Sequence, residues 1–196
     1  MNLPSRLKSP LPESVLVFVD RANPIGPLPA SLESAHSNRK RDWFMGRTAL
    51  LQALTFMGHD SIDFTSRQRS PQSYIALPGF TFSISHADGA AGCWLLHDPD
   101  GRYRIGLDLE LRSRRISQAV TGRFRNPEDQ ITDELQLWCT KEAAYKTLPA
   151  EMQTSGRFSE IKIMSASDFQ FQEIKGHHLN LDLGDYKGAL AWVSSS

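Results

Sequence analysis

The tetrapeptide Asp98-Pro99-Asp100-Gly101 lies almost at the midpoint of a chain of 196 residues. Its residue types are those that tight turns prefer, because proline presets one backbone angle, glycine accepts a positive φ and aspartate bonds to its own backbone. We therefore interpret this turn as the hinge between two lobes, residues 1–101 and 102–196.

On each side of the turn, the pattern predicts the same order of elements: a strand, a helix and then further strands. The elements predicted before the turn are a strand at Ser14–Asp20, a helix from about Ser31 to Met57, and strands at Ile62–Thr65, Gly79–His86 and Ala90–His97. Those predicted after it are a strand at Tyr103–Leu111, helices at Ser117–Phe124 and about Asp129–Leu148, and strands at Phe158–Met164, Phe169–Ile174, His178–Leu183 and Gly188–Val193. The prolines within residues 1–12 predict an extended lead-in that does not pair with a sheet. Together these elements predict an α+β fold of two pseudo-symmetric lobes, each an antiparallel β-sheet packed with a helix, and a cleft between such lobes is a preferred ligand site.

The composition excludes several function classes. Lys and Arg number 22 and Asp and Glu also number 22, so no overall positive field attracts nucleic acid. Cys93 and Cys139 are too few for a disulfide framework, which favours a reducing compartment. No apolar run approaches the roughly 20 residues of a membrane span. We therefore expect a cytoplasmic protein that binds neither nucleic acid nor membrane.

Two carboxylates lie in the predicted strand Gly106-Leu107-Asp108-Leu109-Glu110. Because side chains two apart on a strand share a face, Asp108 and Glu110 project together from an otherwise apolar segment. Such a pair needs a cation, which can be Mg²⁺ or a neighbouring arginine. The spacing alone leaves open a metal site and a solvated edge strand with ion pairs.

A second group of polar residues lies on the long helix, in Trp138-Cys139-Thr140-Lys141-Glu142-Ala143-Ala144-Tyr145-Lys146. Trp138, Glu142 and Lys146 share a helical face, because they follow one another at intervals of four residues. An isolated Glu-x-x-x-Lys is usually a surface ion pair. Beside metal-binding carboxylates, however, Glu142 can complete a metal shell or accept a proton, and Lys146 can neutralise phosphate oxygens.

Two further motifs precede the turn. Ser83-Ile84-Ser85-His86 ends a predicted strand, and we expect Ser85 and His86 to reach a phosphate from a strand-end loop, although a structural histidine at the turn fits equally. On the first helix, Arg39, Trp43 and Arg47 share a face, and Gly46 permits close approach of a ligand or backbone. This face suits an adenine nucleotide, or it is merely solvated.

In this order, the four motifs resemble the 4'-phosphopantetheinyl transferase superfamily. The motifs are Arg-x-x-x-Trp-x-x-Gly-Arg, Ser-Ile-Ser-His, Gly-Leu-Asp-Leu-Glu and Trp-Cys-Thr-Lys-Glu-Ala-Ala-Tyr-Lys, and the last two are the paired signature of the superfamily. Asp-x-Glu lies mid-chain, as in the long, two-lobed Sfp-type class. The resemblance extends by motif from Arg39 to Lys146. It implies an enzyme that moves phosphopantetheine from coenzyme A to a serine of an apo acyl- or peptidyl-carrier protein and releases 3',5'-ADP.

The resemblance also implies a role for each residue of the paired signature. Asp108, Glu110 and Glu142 would bind Mg²⁺, or alternatively Mn²⁺, together with the coenzyme A pyrophosphate. Glu142 would deprotonate the attacking serine, and Lys146 would hold the phosphates with Lys141 in support. The implied catalytic residues are therefore Glu142, Lys146 and Asp108.

The same resemblance places the 3'-phospho-adenosine end of coenzyme A against Arg47, Ser85 and His86, with Arg39 as a helper. One departure concerns the Gly-Lys-Pro that many relatives carry before the Ser-His strand. Here the corresponding stretch is Arg69-Ser70-Pro71, so that the phosphate contact of that lysine is missing or comes from a neighbouring arginine.

A basic stretch follows the Asp-x-Glu strand and contains no acidic residue. We interpret it as a surface that steers an acidic carrier protein, while a solvated face is the alternative. Its cations are Arg112, Arg114, Arg115, Arg123 and Arg125.

Two other functions fit parts of the pattern. A metal-dependent phosphodiesterase would also use Asp-x-Glu with Glu-x-x-x-Lys, and a non-catalytic coenzyme A or carrier-protein binding module would keep Arg47 and His86. The complete set of three acids and a lysine favours an enzyme over the binding module, and the neutral net charge counts against a nuclease. Pseudo-symmetry within one chain favours a monomer.

Overall fold

The computed structural model describes residues 5–20, 32–59, 77–153 and 158–194. Within these ranges, nine β-strands and three α-helices form two compact units, Met1–Asp100 and Gly101–Ser196. Both sheets are antiparallel, so the fold class is α+β. The boundary between the units falls inside the turn Asp98-Pro99-Asp100-Gly101, where Gly101 has a φ of 65°.

The first unit is a four-stranded sheet with one helix. Its elements are β1 (Ser5–Leu7), β2 (Ser14–Val19), α1 (Ser37–Phe56), β3 (Phe80–Ala87) and β4 (Ala90–His97). The strands lie in the order β1-β2-β4-β3. The first strand corrects the expectation of an unpaired lead-in, because Ser5–Leu7 pairs with β2 in the short interval between Pro4 and Pro10.

The apolar face of α1 covers this sheet. Met45, Ala49 and Leu50 are buried against β2 and β4. The helix begins at Ser37, six residues after its predicted start, because a turn closed by the Ala35 N–H and the Leu32 carbonyl precedes it. The predicted helix stop at Gly58 is confirmed, since this residue has a φ of 84°.

The second unit is a five-stranded sheet with two helices. Its elements are β5 (Tyr103–Leu111), α2 (Gln118–Phe124), α3 (Glu134–Lys146), β6 (Lys162–Ile163), β7 (Asp168–Phe171), β8 (Ile174–Leu183) and β9 (Tyr186–Ser194). The strands lie in the order β5-β9-β8-β7-β6. Short 3₁₀ helices at Ala150–Met152 and Phe158–Glu160 follow α3, and the second replaces the first three residues of the strand predicted at Phe158–Met164.

Small side chains let α3 lie close to its sheet. Ala143 and Ala144 on the helix are fully buried, as are Ala189 and Ala191 on β9. The closest approach is at Gly106 of β5, where an added Cβ would lie 1.9 Å from the Ala143 carbonyl oxygen. The absence of a side chain at this glycine therefore sets the distance between α3 and β5.

The first turn of α3 differs from the sequence prediction. The helix was predicted from about Asp129 but begins at Glu134, with Asp133 as N-cap. The Asp133 carboxylate accepts a hydrogen bond of 2.8 Å from the Gln136 backbone N–H, as N-cap aspartates do. Asp129 lies outside the helix and pairs with Lys141.

Some predicted features lie outside the described residues, namely the strand at Ile62–Thr65 and the stretch Arg69-Ser70-Pro71. Among the described residues, no helix is long and apolar enough to cross a bilayer.

The contact at Gly106 predicts a large effect of a single methyl group. We expect Gly106→Ala to destabilise the chain by about 3 kcal/mol or more, because the clash is with backbone and no rotamer relieves it. Urea denaturation of the purified variant measures this loss.

Gly122→Ala is the matched control. Gly122 lies inside α2 with nothing within 4 Å of an added Cβ, so alanine there should stabilise the helix by about 0.5–1 kcal/mol. Equal stability of the two variants would contradict this account of the helix–sheet contact.

Candidate active site

The C-terminal turn of α3 is fastened to β5 by two side chains. The Lys146 ammonium donates a 2.8 Å hydrogen bond to the Leu107 carbonyl, and Arg104 Nε donates one of 2.7 Å to the Thr147 carbonyl. Both contacts require the close approach at Gly106. They fix the position of the Glu142–Lys146 face relative to the strand.

Lys146 and Asp108 form the first charged pair of the site. Lys146 Nζ lies 3.0 Å from Asp108 Oδ1, and the two side chains are 27% and 9% exposed. The bonds to Asp108 and to the Leu107 carbonyl use two of the three N–H donors of the ammonium. The pair is therefore partly accessible from solvent on its lysine side.

Glu142 lies one turn before Lys146 and close to the same aspartate. The pKa of the Glu142 carboxyl is raised to about 6: burial and then the charge of Asp108 raise it, and the charges of Lys146 and Arg114 oppose the rise. These influences place Asp108, Glu142 and Lys146 in one electrostatic group. The group therefore consists of Glu142, whose pKa is raised toward neutral pH, the carboxylate of Asp108 and the ammonium of Lys146.

Glu110 lies on the same face of β5 as Asp108 but has different partners. Its Oε1 accepts a 3.2 Å hydrogen bond from the Trp138 indole N–H and forms an ion pair with Arg114. The Arg114 guanidinium also lies 5.4 Å from the centre of the Trp138 ring. The ring itself is held by Phe158, stacked at 5.8 Å, and by the edge of Phe124 at 5.2 Å.

The three acids do not form a joint metal cluster in this conformation. Within the part of the chain that the structure describes, no group of three or more His, Cys, Asp or Glu side chains is placed to hold a metal ion. Asp108 and Glu142 nonetheless fit a divalent cation: their oxygens are the ligand type that Mg²⁺ prefers, and Mg²⁺ is commonly held by one or two carboxylates and substrate phosphates. The charge of Asp108 raises the pKa of Glu142, and a bound cation would offset this repulsion between the two carboxylates.

Lys141 has partners other than the phosphates that the family resemblance implied. Its side chain and that of Asp129 are both 0% exposed and form an ion pair of 2.7 Å. The ammonium also donates to the carbonyls of Phe124, at 2.7 Å, and Phe158, at 3.3 Å. With all three donors used and no exposed surface, Lys141 does not reach a ligand in this conformation.

The Asp129 carboxylate extends this buried contact to the backbone. It accepts hydrogen bonds from the N–H groups of Asn126, at 2.7 Å, and Ile163, at 2.9 Å. The Lys141–Asp129 pair therefore joins α3 to the loop after α2, to the segment at Phe158 and to β6. No motif in the sequence marks Asp129, which was predicted only as the approximate first residue of α3.

The first unit carries the other motifs. Arg47 lies over the ring of Trp43, with the guanidinium carbon 5.2 Å from the ring centre, and Arg39 is exposed on the same helix. An added Cβ at Gly46 would meet the Ile84 side chain at 3.0 Å, so this glycine brings α1 close to β3. Two of the three residues on the helical face that was expected to bind an adenine nucleotide, Trp43 and Arg47, are therefore in contact with each other.

Ser85 and His86 occupy opposite faces of β3. The strand continues through Ala87, so neither residue is in the strand-end loop that the sequence predicted. His86 is exposed and shares the α1 side with Ile84, which packs on the helix, while Ser85 is 6% exposed on the other side. The strand therefore places only His86 on the face that carries Arg47.

No model of a known protein family matches the chain, and no curated protein matches it significantly.

The buried pair yields a prediction about stability. Lys141→Ala should lower the free energy of unfolding by about 3–5 kcal/mol, because Asp129 is left as a buried charge without its ammonium. Urea denaturation measures the change. Lys146→Ala, on the same helix but partly exposed, is the control and should cost less. A loss for Lys141→Ala no larger than for this control would show that the buried pair does not stabilise the unit.

Proposed function

We propose that this chain is a Mg²⁺-dependent 4'-phosphopantetheinyl transferase with the fold of the long, two-lobed class. It would transfer phosphopantetheine from coenzyme A to a serine hydroxyl of an apo acyl- or peptidyl-carrier protein. The observation that carries the proposal is the grouping of Asp108, Glu142 and Lys146 where α3 meets β5. The order of the four motifs along the chain is its second support.

Asp108 and Glu142 would hold the divalent cation, with Glu110 as a third ligand. When bound, this cation would neutralise charge on the phosphate oxygens of coenzyme A. Mg²⁺ and Mn²⁺ share the preference for such oxygen ligands.

Glu142 is the candidate general base. A carboxylate whose pKa is raised to about 6 is still largely ionised at neutral pH and holds a captured proton better than an ordinary glutamate does. The proton of the attacking serine hydroxyl would move to a Glu142 carboxylate oxygen. The serine oxygen forms a bond to the β-phosphorus, and the bond from that phosphorus to the bridging oxygen breaks.

Lys146 would stabilise the charge that develops in this step. Its ammonium keeps one N–H beyond those bonded to Asp108 and the Leu107 carbonyl, and the side chain is 27% exposed. This N–H would donate to a phosphate oxygen, and 3',5'-ADP leaves with the electron pair of the broken bond.

The 3'-phospho-adenosine end would lie against the first unit. Arg47 and His86, on the same side of its sheet, are the favoured phosphate ligands, and Arg39 is an exposed cation on the same helix. Ser85, largely buried on the other strand face, contributes less in this account. A cytoplasmic location is part of the same proposal and agrees with two cysteines that form no disulfide.

Two of the five arginines in the basic stretch are candidates for meeting a carrier protein, because the other three have partners within the chain. Arg112 pairs with Asp182, Arg114 with Glu110, and Arg125 donates to the Ile131 and Thr132 carbonyls. Arg115 and Arg123 are exposed, and among the described residues neither makes a side-chain hydrogen bond or ion pair. We propose these two as the cations that meet an acidic carrier protein.

The transferase proposal predicts a covalent mass increase. An apo carrier protein incubated with this protein, coenzyme A and Mg²⁺ should gain about 340 Da, one phosphopantetheine group. Glu142→Gln should slow the gain by about a hundredfold or more, because the base is lost while the side-chain shape is kept. Intact-mass spectrometry over time measures both, with Glu134→Gln on the same helix as control.

Other outcomes would favour the other functions. Release of 3',5'-ADP without carrier modification would indicate a phosphodiesterase. Coenzyme A binding with neither product would indicate a non-catalytic binding module.

The steering surface yields a separate kinetic prediction. Arg115→Glu with Arg123→Glu should raise the KM for the carrier protein several-fold and leave the KM for coenzyme A unchanged, because the reversed charges repel only the acidic partner. Steady-state kinetics at low salt measure both constants. Lys175→Glu, an exposed reversal on β8 of the same unit, is the control. An equal rise in both constants would remove the two arginines from the carrier surface.

A further inference from the structure

The third carboxylate of the proposed metal site is already neutralised by a cation of the chain itself. Glu110 is paired with Arg114, four residues later, and its side chain is only 16% exposed. The same carboxylate oxygen accepts the Trp138 indole N–H at 3.2 Å. Both partners bind Oε1, so a metal ion that takes this oxygen must displace the Arg114 guanidinium.

Arg114 is held in this position by a second contact. Its guanidinium carbon lies 5.4 Å from the centre of the Trp138 ring, and Trp138 is stacked in turn on Phe158. A cation over an aromatic face adds to the stability of the ion pair. Arg114 also lies close enough to Glu142 for its charge to lower the pKa of that acid, so it belongs to the site and not only to the basic stretch.

We propose that Arg114 and the divalent cation compete for the carboxylate of Glu110, which makes Arg114 a positioning residue of the metal site. The inference rests on the proposed function, because it takes Asp108, Glu110 and Glu142 as the metal set. Without metal, Arg114 keeps Glu110 neutralised and turned toward Trp138. With metal, Glu110 changes partner, and the released guanidinium adds an exposed cation beside Arg115, on the side proposed to meet the carrier.

Competition has a defined energetic consequence. A ligand must overcome the ion pair that it replaces, so the pair weakens apparent metal affinity by the stability of that pair. Exposed and half-buried pairs of this kind correspond to about a two- to sixfold change in an apparent dissociation constant. Removing the guanidinium should therefore tighten metal binding, although it removes no ligand.

The test measures the binding of Mn²⁺ alone, by the electron paramagnetic resonance signal of the free ion, with no coenzyme A or carrier present. Arg114→Met should lower the Kd for Mn²⁺ about two- to sixfold relative to the unaltered chain. Arg114→Lys, which keeps the charge, should return the Kd towards its original value. Arg112→Met is the matched control: it removes the same charge two residues away, from a guanidinium that pairs with Asp182 and the Gly184 carbonyl, and should change the Kd little.

A double-mutant comparison separates competition from a general charge effect. In a Glu110→Gln background, Arg114→Met should no longer tighten Mn²⁺ binding, because the contested carboxylate is absent. An unchanged Kd for Arg114→Met, an equal effect of Arg112→Met, or an effect that persists in the Glu110→Gln background would each overturn the inference.

Tryptophan fluorescence gives a readout that is independent of affinity. Saturating Mg²⁺ should change the emission of the unaltered chain, because Trp138 loses its contacts with Arg114 and Glu110, and Trp138→Phe should abolish this change. No Mg²⁺-dependent change at saturation would also overturn the inference. Carrier modification by a chain whose Kd is insensitive to Arg114→Met would leave the transferase proposal standing, whereas absence of Mn²⁺ binding in every variant would overturn the metal site and the inference together.

Discussion

The contact between Gly106 and Ala143 is the constraint on which the second unit depends. A hydrogen atom in place of a side chain allows the backbone of α3 to lie directly against β5, where a methyl group would be 1.9 Å from a carbonyl oxygen. Only at this distance does the Lys146 ammonium reach both the Leu107 carbonyl and Asp108. The small buried residues of α3 and β9 maintain the same spacing along the helix, so that packing and site geometry have one cause.

Two lysines of α3 have different surroundings because of this packing. Lys141 and Lys146 are five residues apart, and since each residue turns the helix by about 100°, their side chains point in directions about 140° apart. Lys146 therefore lies over β5 with Asp108, while Lys141 is enclosed with Asp129. Burial lowers the pKa of Lys141, and the carboxylate of Asp129 opposes that shift. One lysine is available to a phosphate, and the other joins three segments of the unit.

Both carboxylates on the acidic face of β5 are paired with cations of the chain. Asp108 is paired with Lys146, and Glu110 with Arg114, so each carboxylate has a cation from the chain itself. A divalent ion with bound phosphates would reorganise these pairs instead of filling a preformed cluster. In the first unit, the ring of Trp43 is likewise covered by Arg47. In each unit, therefore, an arginine lies over the ring of a tryptophan that belongs to one of the four motifs, Arg47 over Trp43 and Arg114 over Trp138.

The sequence alone was enough to predict the class of fold, the turn between the two units, the bounds of β4 and β5, and the shared faces of Asp108 with Glu110 and of Glu142 with Lys146. These features follow from local rules: strand side chains alternate, helix side chains recur every 3.6 residues, and glycine, proline and aspartate form turns. The pairing of the charged side chains, in contrast, depends on the tertiary fold. Asp129 was predicted to lie in α3 but forms an ion pair with Lys141 outside the helix. Ser85 and His86 lie on opposite faces of a strand that continues through Ala87. Arg114 contacts Glu110 and Trp138. The physical reason is that electrostatic and packing energies depend on distance in space and on burial, and spacing along the chain sets neither.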